Sequence, residues 1–521
     1  MASETKIVSD LKKINAVQDK EGIQLHNGAA YFGSSIILHH GNKGQDYQYP
    51  IQQWVSNLTI QESLFQSGIL GYLDLNDPWN LIRNGIILGQ ELLYFKFCTQ
   101  GADQAGLEKD WAIDYSEQPF HVYKITNLQE HPTATGKSSL SGLIYRMHFC
   151  SPEMLVNNRI RVSKTMQGTV SDMVKNILEK DLQTSKQLEI EATDDLKHTV
   201  IPNISPIVAI KTILSPMAQK TVSYVAASPH TDVPEFPTIF KGRYTDYYFW
   251  ETTRGYKFQP CIKPQIDPTL TFTVGSYPDS PAWWQQMLTG RNHKYLDTLN
   301  TLDSVPEGAW ASKQISHNSF HKSYSTYQSN YHRSLYDKRF AHTSKTPVYE
   351  TEKFTKNRDD EDRMISDWPD SKLMMSSFGG QRNTTINKTS RESHHPWKHT
   401  PPEASMQRSM QLYHALRYNQ LSVVINGISA LETGTMIKLE LPNIGEGSGF
   451  LAKSKPATAQ ENRLNNLWII TEIKHIIEPS QTTNHYRCEL VLSNTIGATE
   501  KPLPFYDKLG GSASKFKAIW T

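Results

Sequence analysis

The segment Gly89-Gln-Glu-Leu-Leu-Tyr-Phe-Lys-Phe97 begins a series of three strand-like stretches that recurs near the other end of the chain. The first series continues with His121-Val-Tyr-Lys-Ile-Thr-Asn-Leu128 and Tyr145-Arg-Met-His-Phe149. The second series consists of Gly434-Thr-Met-Ile-Lys-Leu-Glu-Leu441, Ile469-Ile-Thr-Glu-Ile-Lys-His-Ile476 and Tyr486-Arg-Cys-Glu-Leu490. Each series has a glycine-led strand, a longer alternating strand and a strand that opens on Tyr-Arg. The repetition predicts two copies of one β module in a quasi-symmetric arrangement, rather than a fold built around one catalytic pocket.

Strand signals dominate from residue 28 to residue 150. Residues 54–60 and 86–97 mix alternation with continuous apolar stretches, which is typical of strands in a closed barrel or a sandwich. Residues 1–27 are polar and mixed in charge. We therefore expect an N-terminal arm, 1–27, that orders only against a partner, followed by the first β domain, 28–150.

Residues 151–235 carry mixed signals that predict a small α+β domain. Thr169-Val-Ser-Asp172 has the form of a capping box, with aspartate in the place of the usual glutamate, and opens a helix. The apolar residues of this helix fall on one face at helical spacing: Val170, Met173, Val174, Ile177 and Leu178. A second helix begins at Ser205-Pro206, and residues 188–192 alternate as a strand between the two helices.

The second β module is predicted to be discontinuous. Tyr247-Tyr-Phe-Trp-Glu-Thr-Thr-Arg-Gly-Tyr-Lys-Phe258 indicates a β-hairpin, and strands return only after residue 406. Four strands with unprotected edges rarely close alone, so the hairpin is expected to complete them. This assigns 236–275 and 406–496 to the second module, 276–405 to an inserted polar domain and 497–521 to a C-terminal tail. The predicted fold class is a β-rich multidomain chain (β + α/β).

Composition excludes several classes of protein. The 521 residues predict three or four domains, and 54 basic against 52 acidic residues give no electrostatic footprint for nucleic acid or an anionic membrane. The cysteines are too widely spaced for a zinc site or a disulfide framework: Cys98, Cys150, Cys261 and Cys488. Signal-peptide and membrane-spanning patterns are absent, so we expect synthesis in the cytosol and no membrane contact.

Two glycine-containing stretches mimic phosphate-binding loops. Gly445-Glu-Gly-Ser-Gly449 lacks the Lys-Ser/Thr of a P-loop and follows Pro442 in a hairpin loop. Gly136-Lys-Ser-Ser139 lacks the glycine required five residues earlier, where His131 stands. Both are predicted to be polar loops, and no cofactor is assigned.

Candidate metal ligands are equally poor in spacing. The acidic run Asp359-Asp-Glu-Asp362 does not follow the alternating pattern of an EF-hand loop and is flanked by basic residues. His394-His395-Pro-Trp-Lys-His399 is the best cluster by composition, but it has no nearby cysteine and no zinc spacing, and His39-His40 is weaker. No metal site is assigned, and the question of an ion near His394, His395 and His399 stays open.

Catalytic motifs are missing as well. The chain has no Gly-x-Ser-x-Gly, no His-Glu-x-x-His and no Ser-x-x-Lys with its partner motifs, so no catalytic residue is assigned. Paired carboxylates for glycoside cleavage are a spatial feature that sequence does not test. Trp283-Trp284, beside Pro281, leaves two alternatives: an exposed platform for sugar stacking, or packing at a subunit contact, which aromatic residues favour.

An ordered series of motifs spans most of residues 50–495. It comprises Phe149-Cys-Ser-Pro-Glu-Met-Leu155, Arg161-Val-Ser163, the helix start at Thr169, Val200-Ile-Pro-Asn-Ile-Ser-Pro-Ile207, the hairpin 247–258, Gly308-Ala-Trp-Ala-Ser-Lys313 leading to Lys322, Leu421-Ser-Val-Val-Ile-Asn-Gly427 and Gly434-Thr-Met-Ile-Lys-Leu439. With the order of domains, this series resembles the central baseplate hub protein of T-even-like contractile-tailed phages. That family is related to the hub part of type VI secretion VgrG spike proteins.

The resemblance implies a structural virion protein without enzymatic activity. Each chain would hold two tube-like β-barrel domains, and three chains would form a pseudo-hexameric ring that adapts a threefold spike to a sixfold tail tube. Implied partners are two further copies of the chain, a tail spike that often bears a lysozyme, the first tail-tube ring protein, baseplate wedge proteins and the tape-measure protein. DNA would pass through the channel without specific binding, so channel faces should lack basic clusters. The polar stretch 340–405 and the tail after Asn494 depart from the family and receive no role.

Two other functions remain as alternatives. A tail-associated cell-wall glycan hydrolase would use Trp283 and Trp284 as a sugar platform, but the chain lacks a catalytic motif for it. A secretion-system spike hub usually continues into a long β-helical needle, whereas about 25 residues follow the second module here. The phage hub is therefore the favoured expectation.

Overall fold

The computed structural model describes most of the two β modules and the α+β unit between them. The described residues are 6–21, 25–42, 45–130, 142–194, 196–226, 238–244, 247–260, 270–274, 282–298, 301–318, 322–330, 368–377, 419–440, 467–480 and 483–494, with positions 407, 410, 411, 413, 414, 416 and 417. Strands predominate, and 14 of them form one large sheet. Within these residues, none of the helices combines the length and the apolar character that crossing a membrane requires.

The N-terminal segment folds against its own chain. Helix α1 (Lys6–Glu21) buries Leu11 and Ile14 completely in the main hydrophobic core. The indole N–H of Trp111 donates a hydrogen bond to the Asp10 carboxylate over 3.3 Å. The expectation that the whole arm 1–27 orders only against a partner is therefore wrong for this helix.

Within its described residues the first β module has eight strands and one short α-helix. They are β1 (Ala30–Asn42), β2 (Gln45–Pro50), β3 (Val55–Ser63), β4 (Leu70–Asp77), β5 (Leu92–Thr99), α2 (Glu108–Trp111), β6 (Ile113–Asp114), β7 (Phe120–Glu130) and β8 (Leu143–Cys150). Their order in the sheet is β2-β1-β5-β7-β8-β4-β3, and β6 pairs with β5. Alternate burial along β4, β5 and β8 follows from the two-residue period of a strand, because one face packs on the core.

The α+β unit follows with its own core. Its elements are α3 (Pro152–Arg159), β9 (Val162–Gly168), α4 (Val170–Asn176), β10 (Gln187–Ile190), β11 (Lys197–Ile204), α5 (Pro206–Ala209), α6 (Ser215–Met217), β12 (Lys220–Ala226), β13 (Thr238–Tyr244), β14 (Tyr247–Thr252) and β15 (Gly255–Pro260). Single π-helical turns extend α4 and α5. The predicted cap is confirmed, since Thr169 Oγ1 accepts from the Asp172 N–H over 3.2 Å. All five residues of the predicted α4 face are buried in this core.

The hairpin β14–β15 belongs to this unit and not to the second β module. Strand β10 pairs in parallel with β15, and Tyr247, Phe249, Tyr256 and Phe258 lie in the same core as α4. The assignment of the hairpin to the second module is therefore corrected. Its large aromatic residues find their apolar partners on the helices, where most of their surface leaves water.

The remaining elements complete the large sheet and add a small one. They are β16 (Thr271–Val274), α7 (Trp283–Met287), β17 (Thr289–Thr298), α8 (Thr301–Glu307), β18 (Ala311–Asn318), β19 (Ser323–Asn330), β20 (Leu373–Ser377), β21 (Asn419–Asn426), β22 (Met436–Glu440), β23 (Leu467–Glu478) and β24 (His485–Ser493). Strands β18, β19 and β20 form a separate sheet. Strand β17 lies within 276–405 yet pairs with β21, so that stretch is not wholly an insertion.

Six strands of the second module form a closed hydrogen-bonded circuit. The order β23-β22-β16-β17-β21-β24 returns to β23 through the β23–β24 hairpin. Strand β16 runs parallel to both of its neighbours, whereas every other pairing in the circuit is antiparallel. The hairpin predicted at 247–258 is therefore not needed to complete this circuit, because β16 and β17 supply the missing strands.

The two modules repeat one order of strands, as the opening motifs predict. The order β5-β7-β8-β4-β3 in the first module corresponds to β22-β23-β24-β21-β17 in the second, with antiparallel pairing throughout. Gly89 and Gly434, which precede β5 and β22, both adopt the left-handed region, with φ of +83° and +87°. The tyrosine of each Tyr-Arg pair, Tyr145 or Tyr486, is buried, and the arginine points away from the core.

Candidate functional site: a sheet shared by the two modules

The candidate site is a sheet that crosses from one module to the other. Its eight strands have the order β7-β8-β4-β3-β23-β24-β21-β17, and each pair of neighbours is antiparallel. Half of these strands come from each module. The sheet therefore joins two similar halves into one continuous wall.

The seam between the halves is the pairing of β3 with β23. Leu58 to Ser63 lie opposite Ile477 to Glu472 in register, over six consecutive positions. The hydroxyl of Ser63 donates to Glu472 Oε1 over 3.1 Å. A second contact lies at the start of β24, where Ala29 forms an isolated bridge with His485. The two modules are consequently held by backbone hydrogen bonds as well as by their shared core.

The face of this sheet that points away from the core is polar and balanced in charge. Arg146 makes a bidentate ion pair with Asp74, with distances of 2.6 and 2.9 Å, and stacks 4.1 Å from the centroid of the Tyr72 ring. Lys474 lies opposite Glu489 in the ladder. From β7 to β24 this face carries four basic and four acidic residues: Lys124, Arg146, Lys474, Arg487, Asp74, Glu472, Glu478 and Glu489. Lys294 on β17 adds one positive charge. A surface of this kind holds a polyanion weakly, because Arg146, Lys474 and Arg487 each have an acidic neighbour.

Both outer edges of the sheet are open within the described residues. Strand β7 pairs with β5 only at Phe120 and His121, and β17 pairs with β16 only at Thr289 and Gly290. Large apolar side chains are exposed along both strands: Tyr123 and Leu128 on β7, and Tyr295 and Leu296 on β17. Long open edges that carry apolar residues promote pairing with another chain.

A buried carboxylate lies where the first module, the α+β unit and the second module meet. Glu62, on β3, accepts the Thr253 N–H over 2.7 Å and the Thr433 N–H over 3.3 Å. Burial, reinforced by the nearby Glu432, raises the pKa of Glu62 to about 7. Glu432 is itself paired with Arg254 over 2.8 Å and with Lys257. Glu62 therefore ties three parts of the chain together through backbone donors.

A buried ion triad holds the α+β unit on the first module. Lys186 donates to Glu251 over 2.5 Å and to Glu153 over 2.7 Å, while Glu251 also accepts the Ile69 N–H. Burial alone would lower the pKa of Lys186, but the two carboxylates outweigh it and raise that pKa. Burial raises the pKa of Glu251, against the opposing effect of Lys186. All of these groups have partners inside the chain, which is typical of structural ion pairs.

The sequence-derived candidates do not assemble into a catalytic or metal site in the described part of the chain. Trp283 is buried in the main core, and the Lys12 ammonium lies 4.9 Å from the centroid of the half-buried Trp284 ring. This packing overturns the proposed sugar platform. His39 and His40 each face one carboxylate, of Asp46 at 3.6 Å and of Glu91 at 3.8 Å, and no cluster of three metal-ligating residues occurs where residues are described.

Several candidates lie outside the described residues. These are Gly136-Lys-Ser-Ser139, Gly445-Glu-Gly-Ser-Gly449, Asp359-Asp-Glu-Asp362, His394, His395, His399 and Cys261. The other three cysteines, Cys98, Cys150 and Cys488, are buried free thiols. Sequence reasoning missed Glu62, although Ile60 and Glu62 are two positions apart on one strand and therefore share its core-facing side.

Comparisons with solved structures find distant likenesses to tail proteins. A tail protein from Neisseria meningitidis MC58 is 7% identical with a TM-score of 0.42, covering 88% of this chain and 97% of that one. The 43 kDa tail protein of prophage MuSo2 from Shewanella oneidensis is 8% identical with a TM-score of 0.44, covering 88% and 98%. Prophage tail protein gp18 from Listeria monocytogenes EGD-e is 11% identical with a TM-score of 0.38, covering 93% and 100%. No family model and no curated protein matches the chain.

Proposed function

We propose that this chain is a structural virion protein, the central hub of a contractile-tail baseplate. Three copies form a ring in which each copy supplies two quasi-equivalent β-barrel modules. Six modules match a sixfold tail tube on one side, and three chains match a threefold spike on the other. The protein acts by its symmetry and has no catalytic step.

One observation carries this proposal: the eight-stranded antiparallel sheet with two similar halves and two open edges. Three copies of eight strands provide a 24-strand wall whose six four-strand segments repeat one pattern. A ring of this kind presents near-sixfold contacts although the chain count is three. The seam β3–β23 would supply three of its six junctions, one within each copy.

The charge pattern supports a wall that lines a passage for DNA. Acidic and basic groups alternate across the outward face, and Arg146 and Arg487 are neutralised by Asp74 and Glu478. DNA is held where several unpaired basic groups neutralise its phosphates, so DNA slides past a face on which most basic groups lie beside acidic ones. The proposal therefore includes no specific DNA contact.

The remaining parts of the proposal concern partners and location. The proposed ring contacts the tail spike, the first tail-tube ring protein, baseplate wedge proteins and the tape-measure protein. The protein is made in the host cytoplasm and is located in the baseplate of the mature virion. The proposed domain plan keeps 28–150, 151–235 and a second module with 406–496 and β16 from 236–275. It adds β17 to that module and moves the hairpin β14–β15 to the α+β unit.

The decisive test is the symmetry of the purified full-length chain. We expect native mass spectrometry to give three copies, and cryo-EM of that species to show threefold symmetry with six similar β lobes around a channel. A chain that stays monomeric at tens of micromolar, or a ring with a different number of copies, would overturn the proposal.

A further inference from the structure

The seam inside the chain is a template for a contact between chains. In the first module the four strands of the shared sheet follow the order β7-β8-β4-β3, and in the second module they follow β23-β24-β21-β17. Strand β7 therefore holds the place of β23, and β17 holds the place of β3. Within one chain, β3 pairs with β23, whereas their counterparts β17 and β7 are the two open edges.

Strand direction allows the same contact to form between copies. Each of the seven pairings from β7 to β17 is antiparallel, so the first and eighth strands run in opposite directions. When β17 of one copy meets β7 of the next, the new pair is antiparallel as well. Copies joined head to tail continue the alternation without a break, and a closed ring has no edge left.

We propose that β17 of each copy pairs with β7 of its neighbour, so that the in-chain seam is repeated between chains. This inference rests on the proposed function for the number of copies in the ring, but not for the strands that meet. The exposed Tyr123 and Leu128 of β7 and the exposed Tyr295 and Leu296 of β17 then leave water together at the junction.

The seam also supplies the register. In the seam Thr59 lies opposite Ile476. Thr59 lies opposite Tyr72, two positions before Asp74, which faces Arg146. Asn292 lies opposite Val424, two positions before Asn426, which faces Arg487, so Asn292 holds the place of Thr59. Thr126 lies opposite Arg146 and Ile476 lies opposite Arg487, so Thr126 holds the place of Ile476. The transferred register therefore places Asn292 of one copy opposite Thr126 of the next, with Lys294 opposite Lys124.

Cysteine trapping tests the junction directly in the full-length protein. The variant with Asn292→Cys and Thr126→Cys should form disulfides between copies under mild oxidation and give covalent trimers on non-reducing gels. The matched control combines Asn292→Cys with Gln129→Cys. Two register positions, about 7 Å along the strand, separate Gln129 from Thr126, which takes the pair out of disulfide range. The two single-cysteine variants give the background from native thiols.

Each outcome separates this inference from the proposed function. Covalent trimers in the matched variant alone support both. A native trimer in which matched and control variants cross-link equally, or not at all, overturns the strand assignment and leaves the ring. Matched cross-links in an assembly with another number of copies retain the strand assignment and overturn the trimeric hub.

A charge exchange provides an independent measurement of the register. Like charges directly opposite each other in a ladder are unfavourable, and the proposed register sets Lys294 opposite Lys124. Lys294→Glu would place a negative charge opposite Lys124, so the protein concentration at which half of the chains are assembled should fall by roughly two- to fivefold. Combining Lys294→Glu with Lys124→Glu should cancel that gain. Equal assembly of the single and double variants would contradict the register.

Discussion

At the residue scale, the protonation state of the buried Glu62 carboxyl affects the stability of the contact between β3, the turn at Thr253 and the turn at Thr433. Its hydrogen bonds come from the backbone of Thr253 and Thr433, so the position of the side chain is fixed by two turns on different units. Because burial raises the pKa of Glu62 to about 7, the charge is costly at alkaline pH and largely absent at mildly acidic pH.

The variant Glu62→Gln should flatten the pH dependence of stability. A carboxyl whose folded pKa is above its unfolded value contributes stability that is complete below the unfolded value of 4.5 and lost as pH rises through about 7. The free energy of unfolding should fall between pH 5 and pH 8 by about 3 kcal/mol more in wild type than in Glu62→Gln, measured by denaturant titration. The control is Glu472→Gln on the outward face. Parallel pH curves for wild type and Glu62→Gln would refute the role of this group.

The hydroxyl of Tyr486 has a structural task inside the second module. It lies 2.8 Å from Nδ1 of His475, a fully buried imidazole whose pKa is lowered to about 3 by burial. Removing the hydroxyl leaves this buried ring nitrogen with only the weakly bonding Cys488 thiol at 3.4 Å, so Tyr486→Phe should destabilise the protein by about 1–3 kcal/mol in denaturant unfolding. Tyr31→Phe, at an exposed ring, should cost close to nothing. Equal effects of the two variants would contradict this reading.

At the scale of elements, the strands repeat because their entry turns, registers and buried tyrosines repeat. Gly89 and Gly434 let the chain enter β5 and β22 through the left-handed region, where a side chain is strained. The longer strands β7 and β23 then pair along β8 and β24, so that each Tyr-Arg pair places tyrosine in the core and arginine on the polar face. The repeated motif thus encodes one local geometry twice.

Alanine substitutions at Gly89 and Gly434 should distinguish the cost of a strained backbone from the cost of a steric clash. At Gly89 an added Cβ has open space, so Gly89→Ala should cost about 1 kcal/mol from backbone strain alone. At Gly434 the added Cβ would lie 3.0 Å from Cζ2 of the buried Trp250 ring, and the cost should be clearly larger. Thermal unfolding of both variants measures the difference, and a Gly434→Ala variant no less stable than Gly89→Ala would show that Trp250 yields freely.

At the scale of the whole molecule, the balance of charge matters more than any single group. The outward face of the shared sheet crosses both modules, and its ionic groups are arranged as neighbours of opposite sign. Under the proposed function this face lines a passage for DNA, and such pairing would make the wall hydrated but not adhesive. In the proposed ring of three copies, each charge substitution would occur three times.

The variant Glu489→Lys should convert the wall into a weak DNA binder. It replaces the acidic partner of Lys474 and changes the face by two charges in each copy. We expect salt-sensitive retention of double-stranded DNA, measured by fluorescence anisotropy between about 50 and 200 mM salt, where phosphate contacts weaken steeply. Glu179→Lys, an equal charge change on the α+β unit, should leave binding at the wild-type level. Equal binding by both variants would show that this face does not meet DNA.

The amino-acid sequence by itself determined the two β modules, the repeated strand order and the first helix of the α+β unit, because each rests on local periodicity and turn chemistry. Tertiary structure alone decided where β14–β15 and β17 belong, since a hairpin or an edge strand pairs with whichever distant strand buries its apolar face. It also decided that Trp283 packs inside and that Glu62 lies among backbone donors from remote segments. Burial and long-range hydrogen bonds depend on distances between parts of the chain far apart in sequence, and no local pattern records them.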